Sequence, residues 1–203
     1  MLRCMHRLKH RYFYCCRNLC IHLWFPICRR QIQTKSYFYQ NQIMSAHTDI
    51  INKFYSSFSK LDYASMNSCY SDDIVFFDPV FGLLRGDQVR SMWEMLCKSA
   101  KDLHISWGNI EELDDEYCTC EWIANYTFSK TGRHVENRIK AHMRFADGKI
   151  IEHSDGFSLH KWSKQAIGMT GTLFGWNSLF QNRIKNNARK GLLKFIENKG
   201  INN

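Results

Sequence analysis

Near residue 100 the hydrophobic period of this chain passes from mainly helical spacing to a sustained period of two, and that change limits the folds open to it. From Asp49 the apolar residues Ile50, Ile51, Phe54, Tyr55, Phe58 and Leu61 recur at helical spacing, and a short second helix is expected through Met66, Cys69 and Tyr70. Ile74 to Val80 reads as a strand, and Gly86-Asp87 opens a third helix with a buried stripe of Val89, Met92, Trp93 and Leu96. Beyond it the period is two. Leu103 to Ile110, Tyr117 to Ser129, Arg133 to Ala146 and Lys149 to Leu159 alternate as strands, with turn signals at Asp114-Asp115, Thr131-Gly132 and Asp147-Gly148. Helices followed by a four-strand antiparallel meander predict an α+β domain whose curved antiparallel sheet wraps around N-terminal helices. An extra C-terminal helix carries a stripe of Phe180, Ile184, Ala188, Leu192 and Phe195 beside Arg183, Lys185, Arg189, Lys190 and Lys194. Such a stripe packs on the domain or across a dimer, or it meets a membrane surface.

The net charge of +9 suggests a nucleic-acid partner until its distribution is considered. Residues 1–43 carry eight Lys and Arg and no Asp or Glu, which leaves twenty basic against nineteen acidic residues in 44–203. A basic tail on a nearly neutral domain is not the basic face of a nucleic-acid binder, so no nucleic-acid partner is expected. The head also holds Cys4, Cys15, Cys16, Cys20 and Cys28, while Cys69, Cys97, Cys118 and Cys120 are dispersed. None of these shows paired zinc-site spacing, and the total is odd. They read as reduced thiols of a cytoplasmic protein, with no metal site or cofactor expected. Three readings of 1–43 stand: a targeting segment poor in serine, a membrane-surface or regulatory tail, or an extension upstream of a start at Met44. Residues 44–203 form the expected domain, and the head is expected to be dispensable to it.

Alternation assigns the inward side chains. Trp122, Ala124, Tyr126 and Phe128 share one face; Asn137, Ile139, Ala141, Met143 and Phe145 share the next strand's inner face. In the last strand Ile151, His153, Asp155, Phe157 and Leu159 point inward together. Asn137, His153 and Asp155 are therefore polar residues on apolar faces. Each alone suits a satisfied structural hydrogen bond; together they suit a pocket. Asp78 ends the run Tyr70-Ser-Asp-Asp-Ile-Val-Phe-Phe-Asp-Pro-Val, among Val75, Phe76, Phe77, Val80 and Phe81. Against apolar surface its pKa rises and it becomes a candidate base; otherwise it precedes a proline at a strand end and faces solvent. These four residues are expected to line one cavity.

Four segments resemble the SnoaL-like polyketide cyclase group of the nuclear transport factor 2-like superfamily, which includes ketosteroid isomerase and limonene-epoxide hydrolase. They are the run 70–80, Leu84-Arg-Gly-Asp, Tyr126-Thr-Phe-Ser-Lys-Thr-Gly-Arg and Asp147-Gly-Lys-Ile-Ile-Glu-His-Ser-Asp155. The resemblance implies a cone-shaped α+β barrel with a deep pocket, commonly dimeric. It implies that Asp78 occupies the place of the isomerase base, while the places of that enzyme's oxyanion-binding tyrosine and second aspartate fall on Phe54 and Ala141. It implies that Asp155 occupies the place of a hydrolase catalytic aspartate, whose partner arginine and aspartate fall on Trp122 and Ala124. Neither constellation is complete.

Two function classes follow. The first is an isomerase, cyclase or hydrolase acting by acid/base chemistry on a hydrophobic carbonyl or epoxide compound. Its catalytic candidates are Asp78, His153 and Asp155, with Tyr55, Phe54, Trp93, Trp122, Tyr126 and Asn137 against the substrate. His153 and Asp155, two residues apart on one face, are expected to share a substrate rather than to pair tightly. The second is a non-catalytic ligand-binding or homodimeric module of the same fold. No Gly-rich phosphate loop, metal-ligand cluster or serine nucleophile elbow supports other chemistry.

Overall fold

The two periods correspond to two layers in a computed structural model that describes residues 46–201. Residues 1–43, with the readings given for them, lie outside the described residues. Helix α1 (46–59) and α2 (Tyr63–Asn67) come first, the latter opened by Asp62, whose carboxylate accepts from Ser65 N. Strands β1 (Tyr70–Asp78) and β2 (Gly82–Arg85), helix α3 (Asp87–Ser99) and the strands β3 (His104–Glu112), β4 (Tyr117–Phe128), β5 (Arg133–Ala146) and β6 (Lys149–Gly156) follow. Three helices end the chain: α4 (Leu159–Ile167), α5 (Met169–Phe174) and α6 (Ser178–Ile201).

The six strands form one open sheet in the order β2-β1-β6-β5-β4-β3. The meander β3 to β6 is antiparallel, as its turn signals predict; Asp147 and Gly148 both take positive φ, the backbone of a two-residue hairpin turn. β1 joins by long-range pairing, antiparallel to β2 and parallel to β6, with Phe76 opposite His153 and Phe77 opposite Ser154. That parallel pair brings the end of β1 beside the end of β6. The core lies between the inner face of the sheet and the helices, with Ile51, Phe54 and Phe58 of α1 and Val89, Met92 and Trp93 of α3 buried against Phe76, Trp122, Ile139 and Met143.

Several expected boundaries shift. Tyr70 begins β1 instead of closing the second helix, and β1 ends at Asp78, leaving Pro79 and Val80 in a turn. β6 ends at Gly156, and Leu159 begins a helix because Ser158 caps it, accepting from Lys161 N. The expected C-terminal helix is α6, preceded by two shorter helices not expected from the sequence: Gly168, at φ 72°, separates α4 from α5, and the Asn177 side chain accepts from Leu179 N to open α6. The apolar stripe of α6 packs on the domain, with Leu192 buried and Ala188 and Ile184 half-buried against the core clusters. Arg189 reaches across to donate to the carbonyls of Phe81 (2.7 Å) and Leu83 (3.1 Å). Apolar side chains at Met169, Leu173, Phe174, Trp176 and Leu179 remain exposed, Trp176 at 68%. Among the described residues no helix is long and apolar enough to cross a membrane.

Gly171 sets how closely α5 meets α4. A Cβ there would stand 1.9 Å from the Ser163 carbonyl oxygen, a backbone atom that cannot swing away. Gly171→Ala should cost about 1–3 kcal/mol or more by overpacking; urea unfolding of this variant, with Gly191→Ala in the open part of α6 as control, measures the difference.

Candidate functional site

The buried faces of α3, β1, β4 and β6 carry five polar side chains, and the sheet places them in a row. Trp93 Nε1 donates to Tyr70 Oη (3.0 Å); Tyr70 Oη meets His153 Nδ1 (2.7 Å); His153 Nε2 meets Asp155 Oδ1 (3.1 Å); and Trp122 Nε1 donates to the same Oδ1 (3.0 Å). A carboxylate oxygen only accepts, so the ring nitrogen facing Asp155 is the donor and Nδ1 accepts the Tyr70 hydroxyl proton. This assigns the imidazole proton to Nε2, where it is donated to Asp155. Every ring nitrogen in the row then has a partner, as a site this deep requires: the His153 side chain is 0% exposed and that of Asp155 is 4% exposed. Aromatic rings close around it. Phe54 and Phe76 stand edge-on to His153 at 5.6 and 5.2 Å, and Trp93 stacks on it at 6.2 Å.

Asp78, the last residue of β1, lies beside this row without a hydrogen bond to it among the described residues. It follows Phe77, which pairs with Ser154, so it stands level with Asp155 on the same face of two adjacent parallel strands. Its Oδ1 accepts from Val80 N and Phe81 N, closing the Asp-Pro-Val-Phe turn in the manner of an Asx turn. The solvent-facing alternative is excluded, because Asp78 is 9% exposed. Burial pushes its pKa up to about 6; the negative charge of Asp155 adds to the rise, while the amides of Phe81, Val80 and Gly82 oppose it. Two carboxylates of different character thus lie side by side, one held by two N–H donors from side chains and the other in a desolvated turn.

Tyr55 supplies the remaining hydroxyl. Its ring tilts against Trp122 at 5.6 Å and stacks on Trp107 at 6.1 Å, and Tyr55 Oη is buried with no hydrogen-bond partner among the described residues. Burial, then the charge of Asp155, raises its pKa well above that of an ordinary phenol, so it remains a proton donor. His153 and Asp155 are directly hydrogen-bonded, which corrects the expectation that they stand apart around a substrate. Asn137 is half-buried and lies four residues along β5 from Ala141, the partner of Asp155, roughly 13 Å away at strand rise. Among the described residues its side chain makes no hydrogen bond to this row. Tyr126 packs between the main core and a second cluster, where its hydroxyl accepts from Trp162 Nε1 at 2.8 Å rather than joining this row. Tyr70 is the polar member that periodicity assigns to a helix; its place in the repeat Tyr70, Ile74, Phe76, Asp78 of same-face residues is the signal that carries it.

A model of the SnoaL-like domain matches residues 51–153. Among solved structures, AclR of Streptomyces galilaeus, a proposed hydroxylase, is 18% identical, with 59% of this chain and 94% of that chain covered and a TM-score of 0.52. A proposed polyketide cyclase of a Silicibacter species is 16% identical over 58% of this chain and 93% of its own, with a TM-score of 0.52. A protein with a ketosteroid isomerase-like fold from Catenulispora acidiphila, solved with trimethylamine, is 13% identical over 58% and 91%, with the same TM-score of 0.52. At these identities the likeness is one of fold. No curated protein matches the chain.

The raised pKa of Asp78 sets a pH dependence of stability. Between 3.8 and about 6 the folded protein binds a proton that the unfolded chain releases, so stability falls as pH rises through this window. A shift of about two units corresponds to at most about 3 kcal/mol. Asp78→Asn, which keeps an acceptor for Val80 N and Phe81 N, should therefore stabilise the protein at pH 7.5, by less as pH falls, and not at all near pH 4. Chemical unfolding across that range tests this, and an equal gain at every pH would rule out the desolvated charge as its cause.

Proposed function

The chain belongs to the SnoaL-like domain family, and we propose that it binds a hydrophobic small molecule and acts on it by acid/base catalysis: isomerisation, cyclisation or hydrolysis of a carbonyl or epoxide compound. The observation that carries this reading is the Asp78 carboxyl group, whose pKa of about 6 keeps it ionised at neutral pH yet more basic than an ordinary carboxylate. In the isomerisation form, the Asp78 carboxylate removes a proton from carbon next to a carbonyl. The bonding pair moves onto the carbonyl oxygen, a donor stabilises that oxyanion, and Asp78 returns the proton to another carbon.

The donor is Tyr55, whose hydroxyl is protonated and without a partner among the described residues. Phe54 and Ala141 occupy the places where ketosteroid isomerase, by resemblance, has its tyrosine and second aspartate. Here Tyr55 follows Phe54, and Asp155 lies directly opposite Ala141 in the sheet. Groups of the same chemical type thus stand beside both places, Tyr55 as the next residue on α1 and Asp155 as the cross-strand neighbour of Ala141. His153 holds Asp155 in orientation, and Phe54, Trp93 and Trp122 supply apolar surface to the substrate. The second reading, a non-catalytic binding module, is favoured by one observation: the row from Trp93 to Trp122 satisfies itself internally.

A screen of enolisable ketones, epoxides and lactones with the wild-type protein separates the two. For a substrate so found, Asp78→Asn should lower turnover by roughly two to four orders of magnitude with little change in affinity. Inactivity across the screen, together with tight binding of an unmodified compound, would establish the binding module instead.

A homodimer belongs to the same proposal. It is supported by the exposed apolar side chains from Met169 to Leu179, an area that association would cover. Sedimentation equilibrium should give twice the chain mass at micromolar concentration, and a single-chain mass throughout would overturn it. A cytoplasmic location is supported by the free, buried thiols of Cys69, Cys97, Cys118 and Cys120.

A further inference from the structure

At the opposite end of α1 from Tyr55, three side chains of different chemistry converge. One ring nitrogen of His47, one carboxylate oxygen of Glu112 and Cys118 Sγ all lie within 4.8 Å of one another. His47 stands at the start of α1, about two turns and 12 Å of helix before Tyr55, so this group is separate from Asp78 and Asp155. Glu112 and Cys118 face each other directly across the β3–β4 pair, which fixes their separation by sheet register. Sequence spacing gave no hint of them as a group, because the three positions are 65 and 6 residues apart.

Their hydrogen bonding is incomplete in a specific way. Thr48 Oγ1 donates to Glu112 Oε1 at 3.0 Å, while Glu112 Oε2 is buried with no partner among the described residues. His47 Nδ1 is in the same condition, although His47 is only 7% exposed. The His47 ring is held in orientation by stacking on Phe145, at 4.3 Å and 18°. Buried polar atoms are nearly always paired, so two orphans beside a buried thiol call for a group that all three can bind. A proton donor serves the carboxylate and an acceptor serves an N–H, but a cation serves nitrogen, oxygen and sulfur at once.

We propose that His47, Glu112 and Cys118 form a binding site for Zn²⁺ or a cation of similar borderline softness. A mixed nitrogen, oxygen and sulfur set matches the ligand preferences of zinc, and three protein ligands leave one tetrahedral position for water. Thr48 is the supporting residue that orients the Glu112 carboxylate. Binding displaces the thiol proton of Cys118 to solvent and ties the first turn of α1 to the β3–β4 hairpin.

The test uses the full-length chain stripped with chelator and titrated with Co²⁺ as spectroscopic probe, then with Zn²⁺. The expected result is a thiolate-to-cobalt charge-transfer band at one equivalent, displaced by Zn²⁺, and a rise in thermal midpoint with added Zn²⁺. Replacing Cys4, Cys15, Cys16, Cys20 and Cys28 together by Ser should leave the band in place, and Cys118→Ser should remove it. His47→Gln and Glu112→Gln should each weaken Co²⁺ binding by more than about 100-fold, beyond the usual effect of an outer-shell change. These two variants decide the matter if Cys118→Ser does not fold. A wild-type protein without the band, a band that survives Cys118→Ser, or unchanged affinity in both His47→Gln and Glu112→Gln would overturn the proposal.

Discussion

The row of hydrogen bonds from Trp93 through Tyr70, His153 and Asp155 to Trp122 is the constraint to which the rest of the fold answers. A histidine and a carboxylate surrounded by Phe54, Phe76 and Trp93 are unfavourable there unless each polar atom finds its partner at the right distance. The partners come from four elements: α3 gives Trp93, β1 gives Tyr70, β4 gives Trp122 and β6 gives the central pair. Satisfying one residue therefore fixes how a helix lies on the sheet and which strand pairs with which. Apolar packing alone tolerates small slips; a bonded row of this kind does not.

The same pairing that completes the row leaves Asp78 out of it. Parallel alignment of β1 with β6 puts Asp78 level with Asp155, but the two N–H donors, Trp122 and His153, both go to Asp155. Asp78 receives only backbone amides from its own turn, and these do not offset burial beside a like charge. Burial is the main cause of the rise at Asp78, and the donors of its own turn only oppose it in part. A buried carboxyl group with a raised proton affinity is the kind of feature that marks a chemical site rather than a packed polar cluster.

What could be read in the sequence was local or periodic. The Asp147-Gly148 hairpin, the full extent of β5 and the inward parity of His153 and Asp155 follow from turn chemistry and a period of two. The parallel β1–β6 pair joins residues some 75 positions apart, such as Phe76 and His153, and no local pattern encodes it. Tyr70 fits the end of a helical run as well as the start of a strand, because a single apolar residue at a boundary suits either period, and the bulge between Tyr70 and Val75 breaks the alternation that marks the strand's onset. Leu159 continued the alternation of β6 by coincidence, and Ser158 at the cap position was the residue that marked the change. The direct His153–Asp155 bond escaped a parity argument because parity gives a side chain's face but not its reach.

The family match ends at residue 153, yet the turn that carries Asp78 is gripped from beyond it. Arg189, in the middle of α6, donates to the carbonyls of Phe81 and Leu83, and Phe81 N in turn donates to Asp78. Farther along the same helix Lys199 pairs with Glu94 on α3 at 2.6 Å. A helix of 24 residues, about 36 Å long, is therefore a lever with one fulcrum on α3 and its load on the backbone around a carboxyl group. Arg189 thus holds the carbonyl of the same residue whose amide donates to Asp78, an amide that opposes the rise in the carboxyl's proton affinity. The backbone around Asp78 is in this sense braced by a helix that contributes no atom to the carboxyl's own hydrogen bonds.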